Sequence, residues 1–226
     1  MGTIDLDYYG KDERYFAHRA ASRSERVQSL RASFFFDLAA HTILDFGCGT
    51  GGILSRLNAD RRLGVEVGDE AADAARRNGI EIYRSIRDVP AESVDIAISF
   101  HALEHVSDDL ASLEGIYRAL KRGGHVRLIV PAEIPLGGQR HWRDNPDRHL
   151  RTWTPLSFGN LAQAAGFTRI RARLEPPPSS SRGVRLFGKA YRYYIGLRDN
   201  AFNVVLEAEK PVSLSRLRPA SQQLRS

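Results

Sequence analysis

The sequence predicts an α/β fold built on a doubly wound, mostly parallel sheet, and three observations lead there. Short apolar segments, "TILDFG", "LGVEV", "IEIYR", "VDIAISF" and "HVRLIVP", alternate with stretches of helical periodicity. That is the pattern of successive strand–helix–strand units. The first of these segments runs into "GCGTGG", a run of glycines that lets the backbone turn tightly. Finally, 226 residues that are 42% apolar and 27% charged suffice for one well-buried core and are too apolar for a disordered chain.

Taken in order, residues 5–40 carry apolar groups at roughly helical spacing and read as helix. "GILSRL" after the glycines also reads as helix. "DEAADAARRNG" has Asp69 as candidate N-cap and Gly79 as stop. In "SDDLASLEGIYRALKRGG", Ser107 is the expected cap and Leu110, Leu113, Ile116, Tyr117 and Leu120 form the apolar stripe. Gly123 and Gly124 are its expected end. Residues 132–153 lack periodicity and read as a long loop on the ligand side of the sheet. Thr154 and Pro155 supply a cap and first helical residue, and Gly166 the stop. "TRIRARLE" alternates strictly, as a half-exposed strand near a sheet edge does. "FNVVLEAEK" reads as the closing strand and 211–226 as a flexible tail.

Composition narrows the function classes. The single Cys48 cannot form an intramolecular disulfide, which fits a cytoplasmic protein. No run of 18 apolar residues is present, and the N-terminus is too polar for a signal peptide. Net charge is +6, with the excess in the C-terminal quarter, where twelve Lys/Arg face four Asp/Glu from Thr168 onward. That balance suits nucleic acid, an anionic membrane or an acidic substrate, and equally a solvated face. Residues 184–197 place Val184, Phe187, Tyr191 and Ile195 at helical spacing, with Arg185, Lys189 and Arg192 on another face. Such a helix packs on a sheet or a partner subunit, or makes peripheral contact with a membrane.

The most informative stretch is "LDFGCGTGG". Strand, glycine turn and helix in that order lay a nucleotide-like ligand against bare backbone. Gly47, Gly49 and Gly52 also satisfy the spacing of dinucleotide-binding loops. Asp45 separates the two readings. A carboxylate two residues before the first glycine repels a pyrophosphate and suits a ligand carrying an ammonium and a sulfonium. Glu66, ending the second strand, is placed to accept hydrogen bonds from both ribose hydroxyls. Val67 beside it offers an apolar surface to a purine.

"ILDFGCGTGG", "GVEV", "VDIAISFHALEHV" and "ALKRGGHVRLIVP" resemble, in order and spacing, the Rossmann-like (class I) S-adenosylmethionine-dependent methyltransferases. The branch in view is the type 11/type 23 one, with "LEHV" after the fourth strand, and "HLRTWTPLSFGNLAQAAGF" is similar to the same branch. The resemblance covers residues 41–210. It implies a seven-stranded sheet with an antiparallel last strand and helices on both faces. It implies S-adenosylmethionine as cofactor, S-adenosylhomocysteine as product, and a lid formed by residues 1–40, with Tyr15 and Arg19 closing over the cofactor. It further implies that Asp45, Gly47, Cys48, Gly49 and Gly51 surround the methionine moiety and Glu66 and Val67 the adenosine. One departure matters: relatives place an acid after the third strand for the adenine amino group, whereas this chain has Ser85 and the backbone of Ile86 there.

His101-x-x-Glu104-His105 also has the spacing of an inverted zinc-protease motif. That reading requires both histidines on one helical face and a third ligand. Nothing in the sequence marks a third ligand, and His101 falls at a strand end, so no metal is expected. In the family reading Phe100 and His101 line the cofactor, and His105 faces the acceptor or buttresses the loop. Either histidine is a candidate base if the acceptor must lose a proton. No Asn/Asp-Pro-Pro-aromatic segment follows the fourth strand, which argues against a nucleic-acid base as acceptor. His141, Trp142, Arg143 and His149 are the candidate acceptor-binding groups, suited to a sugar or a phenolic ring. The expectation is therefore methyl transfer, at oxygen, to a small-molecule or glycan acceptor. The alternatives are an RNA-modifying methyltransferase, a nicotinamide-dependent oxidoreductase and a non-catalytic cofactor-binding partner protein.

Overall fold

The computed structural model describes residues 25–133 and 149–177, seven positions between 188 and 197, and 202–212. Helix α1 (Glu25–Ala32) leads into strands β1 (Ala39–Phe46) and β2 (Asn58–Val65), helix α2 (Asp69–Arg77), and strands β3 (Glu81–Tyr83) and β4 (Val94–Phe100). Helix α3 (Asp109–Ala119), strand β5 (Leu120–Pro131), helix α4 (Pro155–Ala164) and strands β6 (Thr168–Glu175) and β7 (Asn203–Glu209) follow. The seven strands form one sheet in the order β3-β2-β1-β4-β5-β7-β6. β7 runs antiparallel to both its neighbours and the β1–β5 pairings are parallel. The expected doubly wound α/β sheet with an antiparallel last strand is what the chain forms.

Strand composition explains the layering. Along β4, Val94 and Ala97 enter one core cluster while Ile96 and Ile98 enter the other, so the strand is apolar on both faces and central. The larger cluster takes Leu113 and Ile116 of α3 and Phe158 and Ala162 of α4. The smaller takes Ala32 of α1, Phe35 and Ala75 of α2. The order of crossovers reverses between β1 and β4, and open α/β sheets bind ligands in the crevice at that point. Ser99 Oγ donates to the Phe46 carbonyl at 2.8 Å in the buried interior, holding the ends of β1 and β4 together under that crevice.

Several expected boundaries move. Of residues 5–40, only 25–32 are helical among the described residues, because fully buried Phe35 turns the chain into the core and Ala39 already pairs with Asn58. The helix expected at "GILSRL" is a single turn of 3₁₀ at Leu54–Arg56, since β2 begins at Asn58 to match the early start of β1. The cap of α2 is Gly68, not Asp69, and that of α3 is Asp108, whose carboxylate accepts from Ala111 N at 2.9 Å. α3 ends at Ala119 because Leu120 pairs with Val94, which draws Gly123 and Gly124 into β5.

Thr154 caps α4 as expected, its hydroxyl accepting from Ser157 N and closing a reciprocal pair with the Ser157 side chain. Thr154→Ala is expected to cost about 1 kcal/mol, read as a drop in the urea midpoint at unchanged m-value. β6 alternates in burial as its sequence does. Its Arg173 meets Glu207 at 2.7 Å, and Glu207 in turn meets Arg127, which also reaches Asp37. Of the 184–197 stripe only Tyr191 has a described side chain. It is half-buried, and the helix rests on Phe202 through Gly196 and Tyr193.

Candidate active site

Where β1 ends, the chain enters the glycine loop. The Gly47 and Cys48 N–H groups both donate to the Val65 carbonyl, at 2.9 and 3.1 Å, so the loop is stitched to the end of β2. Gly47, Gly49 and Gly51 all have positive φ, 79°, 54° and 79°, a region that side chains disfavour. The three differ in surroundings. A Cβ on Gly47 would lie 2.3 Å from Ala102 Cβ and one on Gly51 2.1 Å from Ile80 Cδ1, whereas at Gly49 nothing lies within 4 Å. Gly47 and Gly51 are therefore glycines for packing, and Gly49 presents bare backbone to the crevice.

Two carboxylates flank this backbone. Glu66 Oε2 accepts from Gly49 N at 2.9 Å and its Oε1 from Gly68 N at 2.7 Å. Each carboxylate oxygen accepts two hydrogen bonds, so the expected ribose contacts fit alongside these. Asp45 is 2% exposed. Burial pushes its carboxyl up to about 7, with the negative charge of Glu66 adding to the shift. The sequence shows two acids; only the fold shows that one is held by backbone donors while the other is desolvated. Burial also drives the Cys48 thiol well above its usual range, with Asp45 and Glu66 adding to it. Cys48 is thus a packing residue under the loop and no nucleophile.

The far wall is formed by the segment after β3. Ser85 Oγ accepts from Arg87 N at 3.2 Å, while Ile86 is buried against Gly115 and its carbonyl accepts from Arg118 at 2.9 Å. That bond fills one of the two acceptor positions of the Ile86 carbonyl and ties the segment to α3. Arg84, which sequence reasoning missed, donates to the Glu66 and Val67 carbonyls and pairs with Asp69, fixing the turn that carries Val67. The only sequence signal for it was an arginine immediately after the third strand.

Past β4, Phe100 and His101 stack with ring centroids 4.4 Å apart, and Arg31 and Phe34 of the N-terminal segment cover Phe100. His101 has a φ of 53°, a conformation that costs a non-glycine residue on the order of 1–3 kcal/mol and concentrates at functional sites. Its Nε2 lies 2.7 Å from Asn203 Oδ1 of β7, a partner that no local motif announced. Leu103–His105 form one turn of 3₁₀ helix with Glu104 fully buried. The Leu150 N–H donates to the Glu104 carbonyl at 2.9 Å, which brings His149 against His105, rings edge to face at 5.0 Å. Glu104 Oε1 then sits 3.8 Å from His101 Nδ1, 3.9 Å from His105 Nε2 and 3.8 Å from His149 Nε2. Tyr15, Arg19, His141, Trp142 and Arg143 lie outside the described residues.

Comparison with known proteins follows this geometry. Residues 16–172 match the protein family described as a methyltransferase domain. The chain belongs to that family. The ubiquinone biosynthesis O-methyltransferase of Pseudomonas paraeruginosa is 34% identical over 150 residues, spanning 57% of this chain and 64% of that protein. The chain thus spans less than two thirds of that relative's length. Among solved structures, a SAM-dependent methyltransferase from Thermotoga maritima superposes with a TM-score of 0.61 at 23% identity, covering 92% of this chain and 98% of that one. The Haemonchus contortus phosphoethanolamine N-methyltransferase 2, solved with phosphomonomethylethanolamine and S-adenosylhomocysteine, gives 0.64 at 17% identity, covering 91% and 59%. At such identities these likenesses establish the fold, and it is the expected class I methyltransferase fold.

Proposed function

We propose that the chain transfers a methyl group from S-adenosylmethionine to an oxygen of a small-molecule acceptor in the crevice between the glycine loop and the His101–His105 turn. The observation that carries this reading is the desolvated Asp45 carboxyl beside the bare backbone of Gly49. A buried acid there rejects a diphosphate and is stabilised by a cationic ligand. The O-methyltransferase named above favours oxygen as the acceptor atom.

Asp45, Gly47, Cys48, Gly49 and Gly51 form the cradle for the methionine end, Glu66 and Val67 hold the ribose and purine, and Ser85 offers a hydroxyl at the adenine edge. The donor supplies an electrophilic methyl carbon on a sulfonium. The acceptor oxygen attacks that carbon, the C–S electron pair returns to sulfur, and the hydroxyl proton goes to a protein base. His101 is the better placed of the two candidate histidines, because His105 is 8% exposed and faces inward. With Nε2–H donating to Asn203 Oδ1, His101 Nδ1 receives the proton beside the Glu104 carboxylate, which stabilises the imidazolium. The family resemblance assigns residues 1–40 to the lid, and the place of His141, Trp142 and Arg143 in the sequence after β5 assigns them to the acceptor side.

The test is turnover with fractionated small-molecule extract and labelled donor. His101→Gln is expected to lower kcat by about 10²–10⁴-fold while S-adenosylhomocysteine binding is retained. Unchanged kcat in that variant, with a confirmed acceptor, removes His101 as the base.

A further inference from the structure

The LEH turn contains a cluster that methyl transfer as described leaves unexplained. Glu104, His105 and His149 each direct a ligand atom into one small volume, and these atoms lie within 4.8 Å of one another. Glu104 is fully buried, and its Oε1 is 3.9 Å from His105 Nε2 and 3.8 Å from His149 Nε2. Bonds of about 2.1 Å to a shared ion put neighbouring ligand atoms roughly 3.4–3.6 Å apart in tetrahedral or trigonal geometry. The two carboxylate–imidazole separations are therefore a few tenths of an ångström wider than a closed site, and the two imidazole nitrogens, within 4.8 Å of each other, close by up to about an ångström to share an ion. The expectation of no metal rested on the lack of a third ligand and on the place of His101 at a strand end. The fold supplies one from 44 positions further along the chain, anchored by the Leu150 N–H on the Glu104 carbonyl.

We infer that Glu104, His105 and His149 form a divalent-metal site of the zinc type, placed next to His101 on the acceptor side of the crevice. Two imidazoles and one carboxylate are the donor set of ions of this class and leave coordination positions open. A dication also offsets the cost of burying the Glu104 charge. His101 Nδ1 lies 3.8 Å from the same carboxylate oxygen but outside the group of ligand atoms that all lie within 4.8 Å of one another, and the methyl-transfer reading keeps it for the acceptor proton. The use of the ion rests on the methyl-transfer reading: an acceptor hydroxyl bound at an open position is more acidic and is held next to His101. Its binding does not rest on that reading.

The test uses the untagged full chain, stripped with chelator and titrated with Co²⁺, whose visible absorption reports imidazole and carboxylate ligation, followed by displacement with Zn²⁺. The inference expects one Co²⁺ per chain, released by one equivalent of Zn²⁺. It expects His149→Ala, a change at the rim of the cluster, to weaken binding more than about a hundredfold, since removal even of supporting groups costs 10–100-fold. Glu104→Gln is expected to do the same, with S-adenosylhomocysteine binding and circular dichroism checking that each variant folds. Absence of saturable one-to-one binding overturns the inference, as does binding unaffected by His149→Ala. Failure of the chain to bind S-adenosylhomocysteine sinks the donor reading and leaves the Co²⁺ result to decide the metal site separately.

Discussion

Raising the pH from 4 to 8 destabilises the ligand-free protein through Asp45 and, over the lower part of the donor-binding range, tightens its hold on S-adenosylmethionine. The folded carboxyl sits at about 7 against an ordinary 3.8. Below 3.8 both folded and unfolded chains hold the proton and the group contributes nothing. Between 3.8 and 7 the folded chain binds the proton and the unfolded chain does not, so stability falls as pH rises. Above 7 the loss is complete, on the order of 4 kcal/mol for a shift of about three units. The cleanest measurement is the difference in unfolding free energy between wild type and Asp45→Asn, which cancels other titrating groups. That difference is expected to grow in favour of the variant from pH 4 to 8. The donor's positive charge reverses the sign, because binding pulls the carboxyl back down. Donor Kd is expected to fall by up to about tenfold per unit between pH 5.5 and 7 in wild type, and to be weak and flat in Asp45→Asn. A wild-type Kd that does not change across that range removes Asp45 as the cation-selecting group.

Gly47→Ala and Gly49→Ala are expected to fail in different ways. At Gly47 the added methyl meets Ala102 Cβ at 2.3 Å and the backbone is at φ 79°. Backbone strain and overpacking each cost roughly 1–3 kcal/mol, so a fall in Tm on the order of 10 °C is expected for a chain of this size. At Gly49 the methyl meets no protein atom and only the φ of 54° is strained, so stability falls by about 1–2 kcal/mol. Its methyl enters the space assigned to the donor, and S-adenosylhomocysteine binding is expected to drop by at least about a hundredfold. Thermal melts and titrations of both variants check this. Wild-type affinity in Gly49→Ala places the donor elsewhere.

Much of the architecture was legible because strand composition and glycine placement are local. β4 is apolar on both faces and sits mid-sheet, β6 alternates and lies at the edge, and Thr154-Pro155 starts a helix. What misled were boundaries governed by pairing. The helix read into "GILSRL" lost to the register of β2 on β1, and that read through Leu120 lost to the pairing of Leu120 with Val94. Helical periodicity does not reveal how many residues a neighbouring strand will claim.

The same division runs through the site. Residue identity alone determined that a glycine loop, two acids at strand ends and an LEH turn come in the order of a methyltransferase domain, because each is a local chemical signature. Tertiary structure decided the rest. It buried Asp45 while giving Glu66 two backbone donors, tied the Ile86 carbonyl to Arg118 through one hydrogen bond, set His101 against Asn203, and brought His149 to Glu104. Desolvation and contacts between residues far apart in the chain depend on packing, and packing is not written in any single segment.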